Sequence, residues 1–348
     1  MSTEAPLKYS RGDFKADQAV RWCPGCGDYA ILAQMQRMMP EICAATDTPR
    51  ENVVFVSGIG CSSRFPYYMD TYGFHTIHGR APAIAMGLKI ARPELQVWVI
   101  TGDGDGLSIG GNHLVHALRR NLDIKVLLFN NEIYGLTKGQ YSPTSAFGMK
   151  TRSSPDGVLA QPVSAAALAI ASRSTFVART IDTETRHLQQ TLLRAAAHRG
   201  SAFVEILQNC NIFNDGAFEH LKGRDVRDER LLRLSQHEAM RFGANGDKAI
   251  VAAPPGSDHY FAVASAENGS GPEILAIRHD ESSPDPAYTY ALAAMEYPAF
   301  PLPVGVLRAV SAPTYEELVD ERVRAARARE GNANLRTLLE SGDCWTVD

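Results

Sequence analysis

The sequence lacks both a long apolar run and an excess of positive charge. Its longest apolar runs are short segments such as VVFV and VWVI, whereas a membrane-spanning helix needs about 20 predominantly apolar residues. Lysine and arginine number 35 against 39 acidic residues, which gives a formal net charge of -4. No overall basic field therefore favours a nucleic-acid partner, and we expect neither a nucleic acid nor a membrane as partner.

A secretion signal and a disulfide framework are also not indicated. The first residues, MSTEAPLKYSRGDFKAD, are polar and acidic and contain no apolar segment of the kind that a signal peptide needs. Six cysteines in such a chain are more consistent with reduced thiols than with disulfides. We expect a cytoplasmic protein.

Short Val- and Ile-rich runs alternate with helical patterns along the first part of the chain. Continuous apolar character predicts strands buried on both faces at NVVFVSG (52–58), QVWVITGDG (96–104), IKVLLFNNE (124–132) and AFVEILQNC (202–210). Helices are predicted around them over 28–39, 82–91, 108–120, 164–172 and 183–198. The alternation predicts an α/β fold with a doubly wound parallel sheet over about residues 20–210.

The two ends of the chain are expected to lie outside this domain. Residues 1–19 form an N-terminal arm, and residues 211–348 form an irregular C-terminal extension that contacts a partner. The extension is polar at its start, has Gly- and Pro-rich breaks over 245–312, and contains one charged helix over 313–330.

Two short motifs stand at the ends of consecutive predicted strands. GDG (102–104) ends one strand, and NN (130–131) follows after 25 residues. Asp103 and Asn131 supply the hard oxygen ligands that Mg²⁺ prefers alongside phosphate oxygens, and the carbonyl of Ile133 is the third candidate ligand. Either motif alone is most often a turn. The combination GDG-x(25)-NN, however, is the known signature of enzymes that use thiamine diphosphate.

The CxxC motif of Cys23 and Cys26 needs further ligands if it binds a metal centre. Cys61 follows one predicted strand and Cys210 ends another, so four thiols could converge, and Cys₄ ligation suits either zinc or an iron–sulfur cluster. Cys61 lies between Gly60 and Ser62, residues suited to contact the diphosphate cofactor. Zinc has no redox function beside such a cofactor, whereas a [4Fe–4S] cluster accepts single electrons. This placement favours the cluster.

Together the motifs resemble the beta subunits of the 2-oxoacid:ferredoxin oxidoreductases. The matching segments cover roughly residues 20–220 and are CPGCGD (23–28), GIGCSSR (58–64), HTIHGRAPAIAMGLK (75–89), TGDGDG (101–106), NNEIYGLTKGQ (130–140) and the cysteine at 210. The resemblance implies a fold of the diphosphate-domain type found in thiamine enzymes. It favours the 2-oxoglutarate enzymes, with the pyruvate type as the alternative.

The resemblance also implies which residues bind three cofactors. Mg²⁺ would be held by Asp103, Asn131 and Ile133, and one [4Fe–4S] cluster by Cys23, Cys26, Cys61 and Cys210. Thiamine diphosphate would contact Ile59, Gly60, Cys61, Ser62, His78, Gly104, Asp105, Gly135 and Leu136. Cys43 and Cys344 match nothing in this pattern; we expect a buried thiol at a helix end and a thiol in the tail, respectively.

The implied reaction is the CoA-dependent oxidative decarboxylation of a 2-oxoacid, with 2-oxoglutarate giving succinyl-CoA and CO₂ as the favoured case. Electrons would pass singly from the thiamine enamine to the cluster and then to ferredoxin. Run in reverse, as in a reductive TCA cycle, the reaction would fix CO₂.

A partner subunit is expected because thiamine enzymes hold their cofactor between two domains, and the pattern shows only one. The resemblance implies that an alpha subunit supplies the pyrimidine domain and a catalytic Glu. The active site would then lie at a subunit interface in an (αβ)₂ assembly, and this chain alone would be inactive.

Arg64 and Leu136 are the candidate catalytic residues. Arg64 is expected to face the substrate, because a guanidinium binds a carboxylate through two parallel hydrogen bonds; the alternative is an exposed loop arginine. Two other functions stay open. One is a non-redox thiamine decarboxylase or synthase with a structural zinc site, and the other is an electron-transfer or assembly subunit without turnover. The intact Asp103 and Asn131 argue against the latter.

Overall fold

A computed structural model of the chain describes residues 8–265, 276–332, 334–343 and 345–347. These residues form the strands β1 (Val53–Ser57), β2 (Tyr72–His75), β3 (Gln96–Gly102), β4 (Ile124–Asn130), β5 (Ile133–Tyr134), β6 (Gln140–Tyr141), β7 (Phe176–Ile181), β8 (Ala202–Leu207), β9 (Leu231–Arg233), β10 (Arg241–Phe242), β11 (Lys248–Ala252), β12 (Phe261–Ser265) and β13 (Leu302–Ala309).

The α-helices of the described residues are α1 (Asp28–Thr46), α2 (Ala81–Ala91), α3 (Gly111–Arg120), α4 (Ala165–Ala171), α5 (Thr185–Ala197), α6 (Glu219–Lys222), α7 (Arg227–Arg230), α8 (Pro286–Ala293), α9 (Tyr315–Glu330) and α10 (Leu335–Leu339). Three 3₁₀ segments (Arg11–Phe14, Arg50–Asn52 and Ser62–Tyr68) and a π-helical turn, Asp105–Ile109, accompany them. Within the described ranges, no helix has both the length and the apolar character needed to cross a bilayer.

Eight strands form the central sheet in the order β2-β1-β3-β4-β8-β7-β13-β9. All neighbouring pairs from β2 to β7 are parallel. Consecutive residues of each strand point to opposite faces. In β3, Val97 and Val99 pack in one core cluster with α2, α3 and α4, while Trp98 and Ile100 pack in the other with α1 and α5. Helices therefore cover both faces, and the predicted doubly wound parallel sheet is confirmed.

The predicted elements agree with the observed ones where an apolar run or helical period is uninterrupted. The four predicted strands correspond to β1, β3, β4 and β8, and the five predicted helices to α1 to α5. The predicted helix over 108–120 is a π-helical turn followed by α3. The helix predicted over 28–39 continues as α1 to Thr46, where Asp47 takes the left-handed conformation that ends it.

The expected irregular C-terminal extension needs a correction. β13 pairs antiparallel with β7, and β9 pairs parallel with β13, so two strands from beyond residue 210 extend the central sheet. β13 is buried over Leu302–Leu307 because its apolar side chains complete the core. The predicted domain boundary at residue 210 therefore falls between strands of the same sheet. The strands β10, β11 and β12 form a separate three-stranded sheet, whose Phe242, Ile250 and Phe261 belong to the same core cluster as Val97 and Val99.

Candidate active site

The carboxyl ends of four parallel strands bring the sequence motifs to one edge of the sheet. The loops that follow β1, β3, β4 and β8 contain, in that order, Cys61, Asp103, Asn131 and Cys210. Parallel neighbours end on the same side, which is where open α/β sheets bind their ligands.

A cavity at this edge is lined by residues from three of these loops. The lining residues are Ile59, Gly60, Cys61, Ser62, Gly102, Asp103, Gly104, Asp105, Phe129, Asn131, Ile133, Tyr134, Gly135 and Leu136. The structure thus brings together every predicted Mg²⁺ ligand and every predicted thiamine diphosphate contact except His78. Nδ1 of His78 lies 2.5 Å from Oδ1 of the lining residue Asp105.

Asp103 is almost completely buried, with 2% of its surface exposed. Its Oδ2 accepts hydrogen bonds from the hydroxyls of Ser142 at 2.6 Å and Thr144 at 2.7 Å, which fix the orientation of the carboxylate. Burial raises the pKa of Asp103 to about 6, although these hydroxyl bonds act in the opposite direction. A bound cation would stabilise the ionised form that burial disfavours.

Asn131 starts a turn, and both Asn131 and Ile133 line the cavity. Its Oδ1 accepts the N–H of Ile133 at 3.2 Å, and the intervening Glu132 has a positive φ of 58°. Its Nδ2 donates to Oε1 of Gln208 at 2.9 Å, and its carbonyl accepts from Nδ2 of Asn214 at 3.0 Å. Hydrogen bonds from the segment after β8 therefore hold both the side-chain amide and the backbone carbonyl of Asn131.

Asp105 connects the loops around the cavity. Its Oδ1 accepts the N–H of Ile59 at 3.1 Å and that of Gly79 at 2.7 Å, and its Oδ2 accepts the hydroxyl of Thr101 at 2.6 Å. A Cβ atom at Gly58 would lie 1.9 Å from Oδ2 of Asp105, so only glycine allows the β1 loop to approach this closely. The carboxylate of Asp105 is thus hydrogen-bonded to Ile59, Gly79 and Thr101, and Asp105 also lines the cavity.

Tyr134 closes one side of the cavity against the GDG turn. Its hydroxyl donates to the carbonyl of Gly104 at 2.8 Å. A Cβ atom at Gly104 would lie 2.4 Å from the Tyr134 ring, so this contact requires glycine. His78 packs edge-on to the same ring with centroids 6.2 Å apart. Leu136 is 41% exposed at the cavity, next to Gly135.

Two of the predicted cluster cysteines, Cys61 and Cys210, lie beside Gly135. A Cβ atom on Gly135 would lie 3.4 Å from Sγ of Cys210 and 3.8 Å from Sγ of Cys61. Burial raises the pKa of Cys61 to about 11, and the charges of Asp28, Cys210 and Cys23 add to the rise. Burial likewise raises the pKa of Cys26, with contributions from Asp28, Cys210 and Cys61. Cys61 and Cys26 are thus each close enough to other predicted cluster ligands for the charge of a neighbouring thiol to raise their pKa.

Tryptophan and asparagine side chains hold the CxxC loop against the strand-end loops. Nε1 of Trp22 donates to the carbonyl of Cys61 at 2.7 Å, and Nδ2 of Asn211 donates to the carbonyl of Pro24 at 2.6 Å. The N–H of Gly27 donates to the carbonyl of Asn209 at 3.2 Å. These bonds join the segment before α1 to the loops after β1 and β8.

Among the described residues, no group of three or more His, Cys, Asp or Glu side chains is arranged to hold a single metal ion. The predicted Mg²⁺ set contains one carboxylate besides an amide and a carbonyl. In a [4Fe–4S] cluster each cysteine binds a different iron atom. Neither predicted ligand set therefore requires three such side chains around one metal ion.

Arg64 has a backbone partner of its own. Its Nη1 donates to the carbonyl of Arg21 at 2.8 Å, next to the CxxC loop. The cavity is lined by residues 59–62 of the same loop. Binding of a substrate carboxylate by Arg64 stays a prediction.

Several residues of the site have no motif that identifies them in the sequence. Ser142 and Thr144 orient Asp103 from a loop about 40 residues further along the chain, and Gln208 contacts Asn131. The one available signal for Gln208 is its position near the end of the strand predicted over 202–210. Cys43 is completely buried in α1, close to the expected placement, and Cys344 lies outside the described residues.

Comparison with known families gives the cavity a ligand class. Residues 30–206 match the family described as thiamine pyrophosphate enzyme, C-terminal TPP binding domain. This span contains β1 to β7, all but the last residue of β8, and the loops that line the cavity. Residues 30–206 accordingly form a thiamine diphosphate-binding domain.

One similar protein covers the whole chain, and another covers more than half of it. The 2-oxoglutarate oxidoreductase subunit KorB of Mycobacterium tuberculosis is 50% identical over 350 residues, which is 100% of this chain and 90% of the relative. Subunit beta of the 2-oxoacid:ferredoxin oxidoreductase 1 of Aeropyrum pernix is 51% identical over 194 residues, or 56% of this chain and 60% of the relative.

A solved structure matches over the same length. It is the 2-oxoglutarate:ferredoxin oxidoreductase from Magnetococcus marinus with 2-oxoglutarate, coenzyme A and succinyl-CoA bound. Its chain is 30% identical, the TM-score is 0.74, and the match covers 98% of both chains.

Proposed function

Because this chain belongs to the beta subunits of the 2-oxoacid:ferredoxin oxidoreductases, we propose that it forms, with an alpha subunit, an enzyme that oxidatively decarboxylates 2-oxoglutarate to succinyl-CoA and CO₂. Coenzyme A is the acyl acceptor, and ferredoxin is the electron acceptor. The substrate assignment is supported by the two similar proteins that match the whole chain, since 2-oxoglutarate stands in the name of each. Pyruvate is the alternative substrate.

Mg²⁺ fits the oxygen atoms at the GDG turn. We assign the ion to the carboxylate of Asp103, the amide oxygen of Asn131 and the carbonyl of Ile133, which are hard ligands of the type that Mg²⁺ shares with phosphate oxygens. The buried carboxylate is costly in its ionised form without a cation, as its raised pKa indicates. At Gly60, a Cβ atom would meet nothing within 4 Å, which is consistent with open space for the diphosphate.

A [4Fe–4S] cluster fits the four thiols of Cys23, Cys26, Cys61 and Cys210. Burial keeps Cys26 and Cys61 protonated in the protein alone, and coordination to a metal deprotonates such thiols. The absence of a side chain at Gly135 leaves room next to Sγ of Cys61 and Cys210. Thiolate ligands suit iron–sulfur centres and zinc alike, so the choice between them depends on where the thiols lie.

The position of Cys61 is the observation that carries the proposal. Cys61 is part of the loop that lines the thiamine diphosphate cavity, and its sulfur lies beside Gly135 together with that of Cys210. One short loop therefore contacts both cofactor sites. Zinc undergoes no redox change and gains nothing from this proximity. When bound, thiamine diphosphate supplies the electron sink for decarboxylation, and the cluster accepts the electrons one at a time.

The residues of this chain position the groups of the site. Asp105 holds the loops of Ile59 and Gly79 together, so that the cavity keeps its shape without the cofactor. Such preorganisation avoids rearrangement during the reaction. Ser142 and Thr144 orient Asp103 from the opposite side.

The alpha subunit is proposed to cover the cavity. Apolar side chains are exposed on and near its loops: Ile59, Ile77, Ile109 and Leu136 are 41%, 76%, 50% and 41% exposed. A cluster of exposed apolar side chains beside a binding site is typical of an interface. In this proposal the partner supplies the pyrimidine domain and a catalytic Glu, and two such pairs form an (αβ)₂ assembly.

Co-expression with the alpha subunit and anaerobic purification test the proposal. We expect a brown complex that contains thiamine diphosphate, iron and acid-labile sulfide and that reduces a viologen dye only with both 2-oxoglutarate and CoA. The beta chain alone serves as control and should be inactive. A colourless, zinc-containing complex would overturn the redox function, and faster reduction with pyruvate would overturn the substrate assignment.

A further inference from the structure

Gln208 is a completely buried residue located between the two proposed cofactor sites. It directly follows β8, and its backbone N–H donates to the carbonyl of Asn130 at 2.8 Å. This bond continues the ladder between β4 and β8 by one step beyond the strands. The start of its side chain is therefore held by the rigid sheet edge.

Each polar group of the Gln208 side chain has a partner in one of the two sites or in the adjoining loop. Nε2 donates to Sγ of Cys26 at 3.4 Å and to the carbonyl of Asn209 at 2.7 Å. Oε1 accepts from Nδ2 of Asn131 at 2.9 Å. A carboxamide has two N–H donors and one carbonyl acceptor. One end thus faces a proposed cluster ligand, and the other faces a proposed Mg²⁺ ligand.

The CxxC segment is shaped to admit this side chain. A Cβ atom at Gly27, the residue after Cys26, would lie 2.8 Å from Cγ of Gln208 and 2.2 Å from Oδ2 of Asp182. The backbone of residue 27 can approach this closely only because it is glycine. The glycine of the CPGCG motif and Gln208 therefore fit each other sterically.

We propose that Gln208 is a positioning residue that sets the reduction potential of the cluster through Cys26 and the orientation of the Mg²⁺ ligand through Asn131. This inference rests on the proposed function, because it needs both cofactors to be bound to this chain. It adds a residue that no motif marks and that contacts neither the substrate nor the reacting atoms.

The two effects have separate physical causes. An N–H directed at a cysteine sulfur stabilises the additional negative charge of the reduced cluster and so raises its potential. The carbonyl Oε1 can bond only to the NH₂ end of the Asn131 amide, which fixes Oδ1 as the oxygen available to the metal. Loss of the donor and loss of the acceptor should therefore have different consequences.

Two substitutions separate these consequences in the anaerobically purified complex. Gln208→Met removes donor and acceptor, while Gln208→Glu keeps an oxygen acceptor for Asn131 and removes the N–H toward Cys26. We expect a lower cluster midpoint potential in both, by about tenfold in the one-electron equilibrium constant, or about 59 mV. Binding of Mg²⁺ and thiamine diphosphate should weaken by about 10-fold in Gln208→Met and stay unchanged in Gln208→Glu.

The readouts are a potentiometric titration of the cluster and calorimetry of cofactor binding, so neither depends on turnover. Gln96→Glu is the matched control, because Gln96 is also buried and donates to Thr46 at 3.1 Å, but at the start of β3, at the opposite edge of the sheet. This variant should keep both wild-type values.

The possible failures are distinguishable. A wild-type complex without iron and sulfide would refute the proposed function, and the inference with it. An intact cluster with a wild-type potential in the Gln208 variants would overturn the inference alone. Equal losses of cofactor affinity in Met and Glu variants would also overturn it, because they would indicate a general structural role. If Gln208→Met does not load the cluster, the potential of Gln208→Glu decides.

Discussion

Arg179 and Glu205 form an ion pair inside the central sheet, with Nε and Oε2 2.8 Å apart. They are register partners on β7 and β8, and both are almost completely buried. Nη1 of Arg179 donates to the carbonyl of Pro303, and Oε1 of Glu205 accepts from Asn130. The pair therefore connects the last strand of the thiamine diphosphate-binding domain to β13, which comes from the C-terminal part of the chain.

Removing only the arginine should destabilise the chain strongly. Arg179→Met leaves the carboxylate of Glu205 buried without its cation, and we expect the free energy of unfolding to fall by about 3–5 kcal/mol. The double variant Arg179→Met/Glu205→Leu removes both charges and should be the more stable of the two. Urea unfolding of the purified chain, followed by tryptophan fluorescence, measures both. A double variant as unstable as the single one would show that the arginine acts through its packing rather than its charge.

Asp103 should contribute to cofactor binding at the expense of stability. Its pKa is raised from 3.8 to about 6, so the folded chain binds a proton more tightly than the unfolded chain does. Its contribution to stability therefore decreases as the pH rises from about 4 to about 6, and the ionised carboxylate costs about 3 kcal/mol at higher pH. Asp103→Asn should make the cofactor-free chain more stable at pH 8 and weaken binding of thiamine diphosphate with Mg²⁺ by more than about 100-fold.

Calorimetry of cofactor binding to the complex and thermal unfolding of the cofactor-free chain test the two parts of this prediction. Asp70→Asn is the control. Asp70 is exposed and forms an ion pair with Arg50, and neither residue belongs to the GDG turn. It should change neither binding nor stability by a comparable amount. Wild-type cofactor affinity in Asp103→Asn would contradict the assignment of Asp103 as a metal ligand.

The sheet could be predicted where its strands are uniformly apolar, and less well where they are not. β1, β3, β4 and β8 are continuous apolar runs, so their pattern indicates burial on both faces. β7 has the sequence FVARTI, and the charged Arg179 interrupts its apolar run. Burial of this arginine depends on the ion pair with Glu205, a partner that the local sequence does not reveal. β13 contains Pro303 and a Gly305 with φ of 115°, residues that usually indicate a turn.

The candidate site shows the same division. Asp103 and Asn131 follow β3 and β4 directly, and Cys61 and Cys210 lie in the loops after β1 and β8, so the topology of a parallel sheet is enough to place them at one edge. Cys23 and Cys26 precede α1, and the sheet topology does not place them. Ser142 and Thr144 contact Asp103 through a loop whose return path depends on tertiary packing. The bond of Gln208 to Asn131 likewise depends on the register between β4 and β8. Local sequence patterns carry no information on contacts that depend on tertiary packing or on strand register.

His198 should make the chain sensitive to mild acid. Burial, and then the charge of Lys125, lowers its pKa from 6.5 to about 4, and its Nε2 lies 2.7 Å from the Thr175 hydroxyl. The unfolded chain therefore binds a proton between these values that the folded chain does not. This contribution to stability is complete above about pH 6.5 and is lost as the pH falls toward 4. Because the ring is partly exposed, we expect a loss of about 1–2 kcal/mol.

Thermal unfolding of wild-type and His198→Gln chains at pH 7 and pH 5 measures this contribution. The variant should lose less stability than the wild type over this interval, since glutamine does not titrate. His259→Gln, at an exposed position, should behave like the wild type. An identical pH dependence in His198→Gln and the wild type would show that other groups determine the response to acid.

The cysteines provide the sharpest test of which metal centre this chain holds. We expect that replacing any one of Cys23, Cys26, Cys61 or Cys210 by serine lowers iron and acid-labile sulfide in the anaerobically purified complex and removes its brown colour, because an oxygen ligand is a poor substitute for a thiolate. Cys43→Ser is the matched control, since Cys43 is buried in α1 and belongs to the core cluster on that face. It should keep the full iron content. Full iron content in any of the first four variants would remove that residue from the proposed ligand set, and zinc in place of iron in the wild type would leave Cys61 without the redox role that its position beside the thiamine diphosphate cavity suggests.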